Sequence, residues 1–146
     1  FSANQAIGVG YAERADDNTW TKFNDPETSS SAYTLSDPVL PGARKGNWDE
    51  IVYSPFVHIR SGIWEMFYHG DPVSSRESHE IGLGIATSTD GINWLRAESP
   101  FLVSQNADRF PHTPAVLEVG DLLYVYYASV VHGGTASQIE IAILPK

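Results

Sequence analysis

The chain repeats itself, and this restricts its architecture more than any other feature. Ile7-Gly8-Val9-Gly10-Tyr11-Ala12 aligns without gaps on Ile81-Gly82-Leu83-Gly84-Ile85-Ala86. The same offset puts Asp16 on Asp90, Trp20 on Trp94 and Pro26 on Pro100. A second register sets Ser54-Pro55-Phe56-Val57 on Thr113-Pro114-Ala115-Val116, and Trp64 to Tyr68 on Leu123 to Tyr127. Ile139-Glu140-Ile141-Ala142 then repeats Leu83-Gly84-Ile85-Ala86. Motifs recurring in a fixed order indicate one supersecondary unit stacked several times.

Each unit predicts antiparallel strands. Pro55 to Ile59 and Pro114 to Val119 are β-rich runs closed by turn signals, Ser61-Gly62 and Gly120-Asp121. Ile63 to His69 and Leu122 to Ser129 follow at hairpin distance and are rich in Trp, Phe, Tyr and Val. The Ile-Gly-x-Gly strand comes third, and its glycines suggest close backbone approach or facing bulk. It runs into Ser88-Thr89-Asp90-Gly91, a tight turn, before Asn93-Trp94 opens an outer strand. No amphipathic helix is visible. The expected fold class is all-β: β-propeller blades of four antiparallel strands, in a partial propeller of about two blades plus end strands. We expect one domain over 1–146, with blade repeats at about 1–47, 48–107 and 108–146. Asp25 to Arg44, with three serines and several prolines, is expected to be a long connection inside the first repeat.

Composition narrows the function. At 42% hydrophobic and 12% aromatic the chain has material for a core. A net charge of −9 repels phosphate backbones and anionic lipid heads, so neither a nucleic acid nor a membrane is an expected partner. There is no cysteine, no run long enough to span a bilayer and no signal peptide at the start; Phe1 in place of Met leaves processing or truncation open. A secreted or periplasmic location is compatible with all of this.

Three strings are specific to one superfamily: Gly46-Asn47-Trp48-Asp49-Glu50, Trp64-Glu65-Met66-Phe67-Tyr68-His69-Gly70, and Ile81 through Asp90-Gly91-Ile92-Asn93-Trp94. With Ser54-Pro55-Phe56-Val57, they resemble the five-bladed propeller glycosidases, the superfamily of glycoside hydrolase families 32, 43, 68 and 130 and their uncharacterised relatives. The resemblance covers nearly the whole chain but about half of such a domain. It implies a glycosidic substrate and two carboxylates flanking the scissile bond, one as acid and one as base or nucleophile. In these enzymes the acids often stand directly before a proline at the start of an innermost strand. Here Ser54 and Thr113 hold those places, so that set does not carry over. The candidates that remain are Asp49 and Asp108, each six residues before its unit's proline, with Glu50 beside the first. Capping of turns, or pairing with Arg44 and Arg109, is the structural alternative for both aspartates.

Strand alternation gathers other candidates at one end of the units. Asp49, Glu50, His69, Asp71, Glu77, His79 and Glu80 fall there, and the next unit adds Asp108, Arg109, His112 and His132. Four of the five histidines converge on this loop face, with His58 the exception. The substrate-binding candidates are Trp48, His69, His79, Arg109 and His112. Trp48 suits either sugar stacking or packing, whereas Trp20, Trp64 and Trp94 suit packing. Glu118 and Glu140 are expected to be solvated. No close-spaced histidine pattern calls for a metal, and no cofactor is expected. Three functions compete: a carbohydrate-active enzyme, a non-catalytic sugar-binding or assembly module, and a truncated, inactive propeller. Unpaired blade edges at both ends lead us to expect self-association, most simply a two-fold homodimer.

Overall fold

The computed structural model describes residues 6–11, 20–27, 36–72, 81–104, 109–131 and 136–146. Among these there is no helix. The central sheet contains β5 (Ile51–Arg60), β6 (Ile63–Asp71), β7 (Gly82–Ser88) and β8 (Leu95–Arg96) in antiparallel order, with the short β9 (Leu102–Val103) also pairing on β7. A second antiparallel sheet runs β10 (Arg109–Val119), β11 (Leu122–Val131), β12 (Ser137–Pro145). Preceding them are two small pairings. β1 (Ala6–Gly8) pairs with β4 (Pro38–Pro41), and β2 (Gly10–Tyr11) pairs with β3 (Thr21–Lys22).

Turn chemistry fixes the hairpins. Ser61 and Gly62 both take positive φ, 50° and 81°, which suits the twist of the flanking strands β5 and β6. After β7, the Asp90 carboxylate accepts the Asn93 side-chain amide and the backbone N–H groups of Asn93 and Ile92, and the Ser88 hydroxyl bonds to it too. Those bonds, led by the Asn93 side chain, hold its carboxyl well below the usual range. The same loop seats Trp94, whose indole N–H donates to the Gly91 carbonyl at 3.0 Å.

Two expectations change here. The 25–44 segment is not all connection, because Pro38–Pro41 pairs with β1 as a strand. Trp20 is 71% exposed and packs into neither core, unlike Trp94.

Two apolar layers hold the sheets together. The first joins Ile7, Val39 and Leu40 to Val52, Met66, Tyr68 and Ala86 of the central sheet. The second joins Phe56, Phe67 and Ile85, on the opposite face of that sheet, to Val116, Leu123 and Val125. The strands β5/β6 and β10/β11 pair in matching registers: Tyr53 faces His69 as His112 faces Ala128, and Phe56 faces Phe67 as Ala115 faces Tyr126. Both ladders break at one place, between Tyr53 and Phe56 and between His112 and Ala115.

Candidate functional site

The two breaks are bulges in strands that lie against each other, and each contains a strained residue. Ser54 has φ 54° and Thr113 has φ 50°, and each precedes a proline. A left-handed backbone is rare for any non-glycine residue and most costly for a β-branched one. A following proline restricts such residues further. Bulges re-aim side chains and concentrate beside binding sites, so strain repeated at equivalent positions makes this end of the sheets the candidate site.

The bulges direct Tyr53 and His112 into one cluster. Their rings are 5.4 Å apart, and both meet His69, at 4.5 Å from Tyr53 and 4.2 Å from His112. Phe110 lies nearly parallel to His69 at 6.1 Å. The Tyr53 hydroxyl donates to the Asp71 carboxylate at 2.9 Å, and Thr113 Oγ1 sits 2.8 Å from His112 Nδ1. His69 is fully buried, and neither of its ring nitrogens has a partner among the described residues. Burial, followed by the nearby His112, lowers its pKa to about 3, so the imidazole is neutral at any ordinary pH. Burial lowers His112 as well, against the opposing pull of Asp71. Burial raises the Tyr53 phenol far above its usual value, and the adjacent Asp71 charge adds to this. The cluster therefore offers neutral imidazoles, each with one donor and one acceptor, beside one carboxylate.

The predicted residues separate into two groups. His69 and His112 meet in this cluster. Asp49 is 3% exposed and buried on the far side of β6, where it accepts the Tyr68 hydroxyl at 3.0 Å and the Arg96 guanidinium at 2.6 Å. Its partner is thus Arg96, not Arg44. Arg96 also donates to the Pro41 carbonyl, tying the central sheet to β4. Glu50 accepts the Gly46 N–H. Trp48 stacks on Tyr68, with ring centroids 5.6 Å apart. It lies so close over Gly70 and Gly84 that a Cβ at either would collide with the indole. The close approach expected of the glycine-bearing strand is that of Trp48, which is used in packing. His58 lies at the opposite end of β5, 3.1 Å from Glu118. Arg109 opens β10 and lines a different pocket. Asp108, Glu77, His79, Glu80 and His132 lie outside the described residues.

Sequence reasoning missed Tyr53 and Phe110, and it placed Asp71 at the right end without assigning it a role. The signal was present: the offset that carries Pro55 onto Pro114 carries Tyr53 onto His112.

With this geometry in hand, known structures show what the fold is shared with. The chain matches a structure of BT0996 in a complex with RGII at TM-score 0.69 and 20% identity, over 97% of this chain and 36% of the other. It matches a glycoside hydrolase at TM-score 0.68 and 23% identity, again over 97% and 36%. A thermostable family-43 glycoside hydrolase matches at TM-score 0.55 and 21% identity, over 76% of this chain and 39% of the other. No protein-family model and no curated protein matches the chain. The chain has the β-propeller fold of the glycoside hydrolases and spans little more than a third of their length, as a partial domain.

Proposed function

We propose that this chain is the ligand-holding part of a glycosidase-type propeller and takes a glycoside at the bulged ends of β5 and β10. The observation that carries the proposal is His69, a fully buried imidazole with both nitrogens unpartnered among the described residues, set against His112, Tyr53 and Asp71. Sugar hydroxyls both donate and accept, which matches neutral imidazoles and a carboxylate that accepts. Cleavage would need two carboxylates flanking the bond. Asp49 is held by Arg96 and Tyr68, which favours a scaffold role for it over a catalytic one. We assign the ligand-facing carboxylate to Asp71 and leave bond cleavage to other acids, for which Asp108 stands as the candidate offered by the sequence.

Calorimetry with an RGII oligosaccharide, RGII being the partner in the first matching structure, tests the binding. We expect saturable binding, weakened about tenfold or more by His112→Ala and by Asp71→Asn. Binding unchanged by both substitutions would refute the assignment, and so would the absence of binding. Turnover of aryl glycosides by the chain alone would instead favour the enzymatic reading.

We further infer that a second copy of this chain covers its outer face. Phe56, Phe67 and Ile85 seat the β10–β12 sheet on the central one. Their equivalents Ala115, Tyr126 and Ile141 point outward together with Leu117, Ile139 and Ile143, and most are 41–73% exposed. An apolar face of this extent is what interfaces are made of.

A further inference from the structure

The seam between the central sheet and the β10–β12 sheet differs from the seam before it in a way that points to a second ligand site, on the other side of Phe110 from the His69–His112 cluster. Between the first strands and the central sheet, the space above Tyr68 is filled by Trp48, which fits because Gly70 and Gly84 carry no side chains. The repeat registers carry Tyr68 onto Tyr127, Gly70 onto Ser129 and Gly84 onto Glu140, and they carry Trp48 onto Ala107. The strand pairing agrees with these registers, since Tyr68 faces Gly84 and Tyr127 faces Glu140. Where the first seam has an indole on a glycine floor, the second has a pocket of about 260 Å³.

Its floor is polar and pre-ordered. The Tyr127 hydroxyl donates to Glu140 at 2.9 Å, and the Gln138 side-chain amide donates to the other carboxylate oxygen at 2.5 Å. Gln138, then Tyr127, and after them Ser129 and the Arg109 charge, hold the Glu140 carboxyl below its usual range, so it is an anionic acceptor at neutral pH. Glu140 remains partly exposed, as expected, and is in addition bonded to Tyr127 and Gln138 at the pocket floor. Leu102, Phe110 and Pro111 form the apolar wall, with Arg109 at the rim.

We propose that this pocket binds a single neutral sugar ring. One anion and one cation face the same space, so a net charge on the ligand gains nothing. Adjacent hydroxyls can donate to Glu140 and accept from Arg109, while the C–H face of the ring packs on Phe110 and Leu102. The volume lies just under the range typical of drug-sized ligands, which suits one ring and not a chain of them.

The test is amide-shift NMR on the ¹⁵N-labelled 146-residue chain, titrated with methyl α-L-arabinofuranoside and with methyl α-D-mannopyranoside. We expect at least one to shift Val103, Ser129 and Glu140 together with a dissociation constant of order millimolar. Glu140→Gln and Tyr127→Phe should each weaken that binding about tenfold. Shifts confined to Tyr53, His69 and His112 would overturn the pocket and leave the proposed function standing. Shifts at the pocket alone would do the reverse. No shift at the pocket with either sugar, or shifts indifferent to Glu140→Gln, overturns the inference.

Discussion

Asp49 is where a scaffold role and a catalytic role predict opposite outcomes. Removing its carboxylate with Asp49→Ala strips the acceptor from the Tyr68 hydroxyl, on a residue with no exposed surface, which alone costs about 1–3 kcal/mol. It also strips the counter-charge from Arg96, whose side chain is 23% exposed and keeps the Pro41 carbonyl. That partial access to water puts the charge penalty below the roughly 3–5 kcal/mol of a fully buried broken pair. Together the loss should be about 3 kcal/mol, or about 10 °C in melting temperature for a chain of this size. Asp49→Asn keeps an acceptor for Tyr68 and loses only the charge, so it should cost about half as much. A cycle of Asp49→Asn with Arg96→Met, followed by urea unfolding, should show a coupling of about 1 kcal/mol or more between the two side chains. A loss under about 0.5 kcal/mol for Asp49→Ala, within the range of neutral surface changes, would refute this reasoning and return Asp49 to the catalytic candidates.

Three further outcomes follow from the same geometry. Folded His69 titrates near pH 3 and a free histidine near 6.5, so the unfolded chain takes up its proton first. The associated loss is absent above pH 6.5, grows as pH falls towards 3 at up to about 1.4 kcal/mol per pH unit, and should be missing from His69→Phe, so that the difference between the two curves widens below pH 6.5; parallel curves would sink the assignment. Gly84→Ala drives a methyl into the Trp48 indole and the Tyr68 ring and should cost about 1–3 kcal/mol, and less in a Trp48→Ala background; the same cost in both backgrounds would contradict the packing. Light scattering should give a dimer that Ile141→Glu converts to monomer, and a monomeric parent chain at micromolar concentration would remove the self-association proposal.

The sheets were legible because strand alternation and turn chemistry are local. Asp90-Gly91 forms a turn in any context that tolerates it, and the pairing of Ser61-Gly62 hairpin strands follows from a few adjacent residues. The destination of a carboxylate is not local. Asp49 lies in the turn before β5 and Arg96 in β8, with the strands β5, β6 and β7 between them along the chain, and nothing in the spacing of either residue names the other. Trp48 beside an aspartate in a polar-looking loop could not be told from a sugar platform until its seat over Gly70 and Gly84 was known. Glu140 looked solvated because it alternates with isoleucines on a terminal strand. Its role depends on Tyr127 directly across the ladder.

The repeat itself explains why the two bulges meet at one end of these sheets. Stacked sheets of the same design bring equivalent residues of neighbouring units side by side, so a bulge repeated in register at Ser54 and Thr113 places Tyr53 and His112 against each other. The strain at those residues is offset by the apolar layers on both faces of the central sheet, which leave the backbone no room to relax. The same stacking creates a seam above each repeated tyrosine, and the unit decides only what fills it. With glycines opposite Tyr68 the seam takes a tryptophan and becomes core. With Ser129 and Glu140 around Tyr127 it becomes polar, and the partly exposed carboxylate is held by side-chain bonds and the Arg109 charge. One architecture thus yields a packed seam and a polar one from substitutions at three positions.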